Sequence, residues 1–382
     1  MAKKVSDDDL IAALKEHGST RKAAKALGIT QRAILYRKKT LAKKGFSPDH
    51  DMTRTVPDGY KVRGVSTLYN SKGEIAAQWV KSDIDRERWA ELMQAALDGM
   101  CDTIPRLEAL PAPLAMSRPD LLATYIITDY HLGMLAWGEE TRGASYDVKI
   151  AENQLVAWFA TAIALAPDAE QAVFAQLGDF LHWDGLDAVT PTSKHVLDAD
   201  TRFQRLVRVA IRVIRRIVDM LLAKHARVHL LMAEGNHDLA SSVWLREWLA
   251  ALYENEPRIT VDTSADPYYC VEHGRTSLFF HHGHKRRMGQ LDDVFAAKFR
   301  AVYGRTRHSY AHTGHLHHNE TKETNLMTLE QHRTLAAADA HASRGGYQSG
   351  RDAKVITYSA EHGEVSRLTI SPEMLGTWGA VA

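Results

Sequence analysis

The sequence predicts an α/β domain at residues 119–382, preceded by a small all-α unit at 1–45 and a β-hairpin-plus-helix linker region at 46–118. Three observations predict it. From Leu121 onward, short apolar runs at Tyr125–Thr128, Val173–Leu177, Val228–Ala233 and Ser277–Phe280 alternate with helical stretches such as Thr201–Lys224 and Ser241–Tyr253. That is the pattern of buried strands joined by helices. Each run ends in a polar cluster: Asp129-Tyr130-His131, Gly178-Asp179, Gly235-Asn236-His237-Asp238 and His281-His282-Gly283-His284. The C-terminal ends of successive strands are where α/β folds build their sites. The first 45 residues read instead as three short helices.

Taken in order, Asp7–His17 carries Leu10, Ile11 and Leu14 on one side, and Gly18-Ser19-Thr20 is a break with a good N-cap. Arg21–Leu27 is a second helix ending at Gly28, and Ile29-Thr30 turns into a third, basic helix, Gln31–Lys43, closed by Gly45 and Pro48. Tyr60–Asp83 reads as a β-hairpin, with Val65, Leu68, Ile75, Ala77, Trp79 and Val80 flanking the turn Asn70-Ser71-Lys72-Gly73. Trp79 is expected in a core rather than as a platform for stacking bases. Ile84–Met100 reads as an amphipathic helix, and Pro105–Pro119, with four prolines, as a linker. Beyond Gly314-His315-Leu316-His317, strands are expected near Val355–Tyr358 and Val365–Ile370, and Arg344-Gly345-Gly346-Tyr347 reads either as a flexible loop near the cleft or as a plain surface loop.

Composition sets the bounds. Of 382 residues, 45% are apolar and 25% charged, which excludes disorder over most of the chain. The longest uncharged run, Asn153–Pro167, is shorter than the ~18–20 residues of a membrane span. Met-Ala-Lys-Lys-Val-Ser-Asp-Asp-Asp has no apolar stretch of a signal peptide. The two cysteines, Cys101 and Cys270, make neither a disulfide framework nor a cysteine-based zinc site. A cytoplasmic, reduced protein is expected. Net charge is +1, yet residues 1–45 hold 12 Lys and Arg against 4 acids, a net of +8 that leaves the rest at −7. Such a basic end is the footprint of a nucleic-acid-binding element. Nine of the 20 histidines lie between His273 and His318, which points to a metal or phosphate site.

The polar clusters supply Asp129, His131, Asp179, Asn236, His237, His282, His315 and His317. Carboxylate, imidazole and amide oxygen suit Mn²⁺, Fe²⁺ or Zn²⁺. Two such ions bring more positive charge than the two aspartates return. The excess suits a phosphate and a hydroxide, the chemistry of two-metal phosphoester hydrolysis.

The order Asp-x-His, Gly-Asp, Gly-Asn-His-Asp, His-Gly-His, Gly-His-x-His over roughly residues 121–330 resembles the calcineurin-like metallophosphoesterase superfamily. The resemblance implies a four-layer αββα sandwich. It places Asp129, His131 and His317 on a first metal, Asp179 between two metals, and Asn236, His282 and His315 on the second. By it, His237 contacts the scissile phosphate and protonates the leaving oxygen. His282 matches the His-Gly-His position, with His281 and His284 as register alternatives or groups that orient the ligands, and His284 also as a candidate substrate contact. His182 and His318 would line the cleft. Arg286 and Arg287, just after the His-Gly-His motif, read equally as contacts for DNA phosphates and as a solvated basic turn. The implied cofactor is two divalent ions, Mn²⁺ first, with Fe²⁺, Zn²⁺ or Ni²⁺ as the other candidates.

Asp-x-His-Leu-Gly at 129–133 and Gly-Asp-Phe-Leu-His at 178–182 resemble the DNA-repair-exonuclease, SbcD-like branch. No clear match to that branch's C-terminal partner-binding region is found, so the resemblance does not extend to an SbcC-like ATPase partner. Thr20–Arg37 resembles a Fis-like helix-turn-helix, with Ala24 inside the second helix, Gly28 at the turn, and Ile29 and Ile34 packing the third. It implies DNA contacts by Arg21, Lys22, Gln31, Arg32, Arg37 and Lys38. The combined expectation is a DNA nuclease using a metal-bound hydroxide, of a kind suited to a phage or mobile element. Its partner would be DNA, with no membrane and with a homo-oligomer left open. The alternatives are a phosphomonoesterase, protein phosphatase or small-molecule phosphodiesterase with a DNA-binding arm, and a non-catalytic DNA-binding regulator.

Overall fold

The computed structural model describes residues 5–43, 46–47, 52–53, 56, 60–70, 72, 74–91 and 118–375. The chain divides into two compact units, Met1–Pro105 and Arg106–Ala382.

The first unit opens with α1 (Asp7–His17), α2 (Thr20–Leu27) and α3 (Gln31–Lys43). Ser6 and Asp9 form a reciprocal capping box, each side chain accepting the other's backbone N–H at 3.1 Å. Gly18 and Gly28 end α1 and α2 in the left-handed conformation, at φ 59° and 67°. The three helices bury Leu10, Ala13, Ala23, Ala24, Ile34 and Leu41 between them. Small Ala23 and Ala24 let α2 sit close to its neighbours. Thr20 joins α2 one residue earlier than the sequence predicts.

Two short strands, β1 (Phe46–Ser47) and β2 (Met52–Thr53), pair antiparallel. The predicted hairpin is β3 (Tyr60–Tyr69) against β4 (Ile75–Ile84), its turn pinned by Asn70 Oδ1, which accepts the Lys72 and Glu74 N–H groups. Trp79, expected in a core, is 57% exposed. Among the described residues this two-stranded ribbon has no second layer to bury it. Of the predicted helix Ile84–Met100, Ile84 ends β4, residues 86–91 are helical and 92–100 lie outside the described residues. So does the linker Pro105–Pro119 up to residue 117, while Arg118 and Pro119 already belong to a strand.

In the second unit the chain runs through β5 (Arg118–Ile127), α4 (Gly138–Thr141), α5 (Val148–Leu165), β6 (Ala169–Gln176), α6 (Phe203–Lys224), β7 (Arg227–Met232), α7 (Leu239–Leu252), β8 (Ile259–Val261) and β9 (Tyr269–His273). It continues through β10 (Thr276–Phe280), α8 (Asp292–Lys298), α9 (Arg300–Arg305), β11 (His308–Thr313), β12 (Glu320–Glu323), β13 (Thr328–Gln331), α10 (Ala340–Arg344), β14 (Ala353–Ser359) and β15 (Gly363–Ile370). The strands form a six-stranded sheet, β15-β14-β5-β6-β7-β8, and a five-stranded sheet, β12-β13-β11-β10-β9. Strands β5 to β8 are parallel, as are β10, β11 and β13.

Period-two alternation builds the layers. Leu122 and Ile126 of β5, Val173 and Ala175 of β6, and Leu278 and Phe280 of β10 meet between the sheets. Tyr125 and Phe174 point the other way, onto Phe159 of α5 at ring distances of 5.9 and 4.9 Å. Phe279, between Leu278 and Phe280, packs outward on Phe295 of α8 at 5.1 Å. The result is helix, sheet, sheet, helix: a four-layer αββα sandwich. Among the described residues no helix is long and apolar enough to cross a membrane.

Candidate metal centre

The loops that follow β5, β6, β7, β10 and β11 bring the sequence motifs to one place. Asp129, Asp179, His282 and His315 offer ligand atoms within 4.8 Å of one another, and so do Asp129, His131 and His317. Asp129 thus belongs to both groups. His317 Nε2 lies 3.0 Å from Asp129 Oδ1. His282 Nε2 is 3.2 Å from both Asp179 Oδ2 and the Asn236 side-chain oxygen, while its Nδ1 faces the Leu177 carbonyl at 2.9 Å. Asp129, Asp179 and His282 are almost completely buried.

The backbone at these positions is unusual. Asp129, His131, Asp179, His315 and His317 have φ of 50°, 47°, 53°, 75° and 55°, five of the seven non-glycine residues with positive φ among those described. Left-handed backbone at non-glycine residues is costly and clusters at functional sites. It turns the chain sharply enough for alternate residues of one short loop to face the same centre. Two glycines are required by close approach instead. A Cβ on Gly235 would stand 1.9 Å from Asp179 Oδ1, and one on Gly314 would stand 1.8 Å from Thr128 Oγ1.

Asp238 has a part that its place in the motif did not reveal. Its Oδ1 accepts the Asp179 and Gly235 N–H groups at 3.2 and 3.0 Å, and its Oδ2 accepts those of Phe180 and Leu181 at 2.7 and 3.2 Å. Left-handed Asp179 makes successive N–H groups converge, an anion-binding nest, and Asp238 fills it. The loops after β6 and β7 are fastened together that way. Burial and the nearby Asp179 charge push the Asp238 pKa up to about 7, against those N–H donors. The signal in the sequence is Asp238 itself, the last residue of Gly-Asn-His-Asp.

Electrostatics match the geometry. Burial opposes ionisation of Asp129, but His317 and His282 outweigh it and hold the carboxyl well below its usual range. Asp179 is likewise held low, burial being overcome chiefly by His282. In return, burial notwithstanding, Asp179 and Asp129 raise His282 to about 9, and Asp129 raises His317. The carboxylate pair therefore recruits positive charge. Burial, then His237 and His182, push His131 far down, and burial with His282 lowers His315. Two buried carboxylates, an amide oxygen and four imidazoles fit divalent cations.

His237 and His182 stand beside this set. His237 packs its ring 4.7 Å from that of His131, donates from Nδ1 to the His182 carbonyl at 2.7 Å, and donates its backbone N–H to Asp179 Oδ1 at 2.8 Å. His182 Nδ1 is 3.3 Å from His131 Nδ1, and its Nε2 is buried without a partner among the described residues. His281 turns away and stacks on Tyr268 at 4.6 Å. His284 lies beside His282 and His315, at 5.2 and 6.3 Å between rings. His318 is exposed and bonded to the Leu316 carbonyl; Arg286 and Arg287 are exposed just past His284. A further buried group, His312, Glu330 and His332, could also offer ligands. Glu330, however, is paired at 2.6 Å with both Lys354 and Arg367, which already supply the charge a cation would bring.

In the first unit, Arg21, Lys22, Gln31 and Arg32 are exposed. Gln31 donates to Thr20 Oγ1 at 3.2 Å. Lys38 and Arg37 are half-buried, and Arg37 is engaged inside the unit, paired with Asp7 and donating to the Val5 carbonyl at 3.0 Å. Tyr36 on α3, which no sequence motif singles out, is 75% exposed.

The profile of a helix-turn-helix domain family matches residues 6–40. Comparison with curated proteins finds no match. Solved structures with distant likeness include a conserved uncharacterised protein from Streptococcus pneumoniae TIGR4, titled a predicted phosphoesterase, at 11% identity, 67% of this chain, 99% of that one and a TM-score of 0.28. Another, titled a novel archaeal phosphodiesterase, shows 14% identity, 65% and 99% coverage and a TM-score of 0.33. A third, phosphopantetheinyl hydrolase from Mycobacterium tuberculosis, shows 12% identity, 65% and 97% coverage and a TM-score of 0.27.

Proposed function

We propose that the second unit is a dinuclear-metal-dependent phosphoesterase and that the chain acts as a DNA nuclease. One observation carries the chemistry: two buried carboxylates that share a ring of imidazoles at the C-terminal ends of five strands, with His237 beside them. Asp129, His131 and His317 would hold one ion, Asn236, His282 and His315 the other, and Asp179 would serve both. Two divalent ions held there, Mn²⁺ in this reading, would supply charge neutralisation for phosphate oxygens and a water of lowered pKa. The chain's own residues do the rest. Because His237 Nδ1–H is committed to the His182 carbonyl, Nε2 is the nitrogen that, in the imidazolium form, would pass its proton to the leaving oxygen and leave the neutral ring with its hydrogen on Nδ1. His182 fixes that orientation. Arg286 and Arg287, exposed two and three residues past His284, suit the flanking phosphates of a polymer.

DNA as substrate rests on the first unit. A helix-turn-helix match and a net charge of +8 over residues 1–45 support nucleic-acid binding. Arg21, Lys22, Arg32 and Lys38 are its proposed phosphate contacts. The short likenesses at 129–133 and 178–182 to the SbcD-like branch agree with a nuclease.

The test uses full-length protein, stripped of metal and resupplied with Mn²⁺. Labelled single- and double-stranded DNA run beside a simple phosphomonoester and a small phosphodiester, with His237→Ala as control. DNA cleavage that needs Mn²⁺ and falls at least ~100-fold in the variant is expected for general acid–base catalysis. Turnover of small esters alone would replace the nuclease by a small-molecule phosphoesterase. DNA binding should weaken steeply with salt, and less steeply in Arg32→Ala.

A further inference from the structure

The β3–β4 hairpin takes no part in the chemistry of the metal centre, and its two faces differ. Residues directly opposite each other on paired strands share a face. On one face Val65 lies opposite Val80 and Thr67 opposite Gln78. All four are half-buried, and Gln78 Nε2 donates to Thr67 Oγ1 at 3.1 Å. On the other face Leu68 lies opposite Ala77, Ser66 opposite Trp79, Gly64 opposite Lys81 and Lys61 opposite Asp83. Leu68 and Trp79 are 55% and 57% exposed there, and Ser66, Lys81, Lys61 and Asp83 are exposed with them. A solvated sheet face is ordinarily polar. This one carries an indole at its middle and a leucine beside it.

The groups around the indole are mostly cationic. Tyr60–Ile84 holds four Lys and Arg against two acids, a net of +2. The strand bulges at Arg63, between the Val62–Ser82 and Gly64–Lys81 pairs, so exposed Arg63 and Gly64 together oppose Lys81. Lys61, Arg63 and Lys81 enter no ion pair among the described residues. Both acids are engaged locally: Glu74 accepts from Asn70 Nδ2 at 2.9 Å, and Asp83 Oδ1 accepts the Ile84 N–H at 2.9 Å. An open aromatic ring among uncommitted cations matches a polymer that offers flat bases and repeated negative charge. Alternate residues of a strand stand about 7 Å apart, so a base on Trp79 keeps its phosphates within reach of Lys81.

We propose that this hairpin face binds single-stranded DNA. Trp79 stacks on an unpaired base, Leu68 packs on its neighbour, and Lys81, Arg63 and Lys61 neutralise the phosphates. A duplex keeps its base faces stacked inside, so the hairpin and the helix-turn-helix take different forms of the same polymer. The choice of DNA over RNA rests on the nuclease reading; stacking and charge do not depend on the metal centre.

The experiment measures binding of labelled oligo-dT, oligo-U and duplex DNA to full-length protein by fluorescence anisotropy, in chelator so that nothing is cleaved. Wild type is compared with Trp79→Ala, Trp79→Phe and Lys81→Gln. The expected result is about tenfold weaker oligo-dT binding in Trp79→Ala, with duplex affinity within twofold of wild type. Trp79→Phe, which keeps a ring to stack on, recovers most of the loss, and Lys81→Gln lowers the salt slope for oligo-dT by about 0.7. Oligo-dT affinity within twofold of wild type in Trp79→Ala overturns the proposal. So do equal losses on oligo-dT and duplex, and so does tighter binding of oligo-U than of oligo-dT, which would make the face an RNA site. Sedimentation runs alongside: an oligomer dispersed by Trp79→Ala makes the face a contact between copies of this chain and overturns it too. A wild type that binds duplex but no oligo-dT overturns this proposal and leaves the helix-turn-helix reading standing; one that binds neither overturns both. An unchanged salt slope in Lys81→Gln overturns it even where the Ala variant fails to fold.

Discussion

Removing the Asp238 side chain measures how far the centre depends on a residue placed behind it. In Asp238→Ala, four backbone N–H groups, those of Asp179, Phe180, Leu181 and Gly235, lose their acceptor. All four residues are buried. Each unsatisfied N–H costs ~1–3 kcal/mol, and water entering the gap recovers part of it. A net loss of about 4 kcal/mol is expected, a large fraction of the 5–15 kcal/mol that typically stabilises a protein. Asp179 then drifts from His282, and Mn²⁺ affinity falls by about 10- to 100-fold. Asp238→Asn keeps one oxygen for one pair of donors and turns its amide hydrogens on the other, so about half the stability loss is expected. The assays are urea denaturation of the metal-free protein and a Mn²⁺ titration. An Ala variant that keeps the wild-type midpoint and binds Mn²⁺ within twofold of wild type would refute the reasoning.

Three further outcomes follow from the same geometry. Gly235→Ala puts a methyl 1.9 Å from Asp179 Oδ1; a stability loss of about 1–3 kcal/mol and at least ~10-fold weaker Mn²⁺ binding are expected, and calorimetry with a thermal melt checks both. His225 is buried, with Nδ1 donating to the Ala169 carbonyl and Nε2 accepting from Tyr125, and burial lowers its pKa to about 4. The unfolded chain takes up the proton first, so the stability from neutral His225 is complete above about pH 6.5 and is lost as pH falls towards 4, by about 3 kcal/mol. His225→Gln should flatten that part of the urea-midpoint profile; an unchanged slope counts against it. Arg37→Ala removes a half-exposed pair with Asp7, worth no more than about 1 kcal/mol after screening. It should loosen α1 in hydrogen exchange and weaken DNA binding less than Arg32→Ala does; equal losses would make Arg37 a phosphate contact.

The strands that carry the centre were legible because each is a short apolar run stopped by a polar motif. Val173–Leu177 sits within one residue of β6 at its end, and Ser277–Phe280 within one of β10 at its start. The edges were not legible, for a physical reason. β12 is exposed along its whole length and reads Glu-Thr-Lys-Glu, with no alternation for burial to impose. Trp79 misled because an apolar ribbon in sequence does not announce how many layers it joins. At the centre, residue types and spacing could be read from the motifs. Left-handed backbone at Asp129 or His315 could not, since Asp and His carry no such preference strong enough to see. Nor could the direction of His281: only the position of Tyr268 sends it away from the carboxylates.

Those five left-handed residues set a standing conflict between durability and chemistry. Glycine would relax the backbone at each of them, so Asp129→Gly or His315→Gly trades a side chain the centre uses for a chain that folds with less strain. A selection for thermal resistance alone, blind to the candidate metal centre, would drift first towards glycine at 129, 131, 179, 315 and 317. The most robust descendants would then have lost the candidate ligands. In this fold, side-chain identity at those positions records which pressure has been acting.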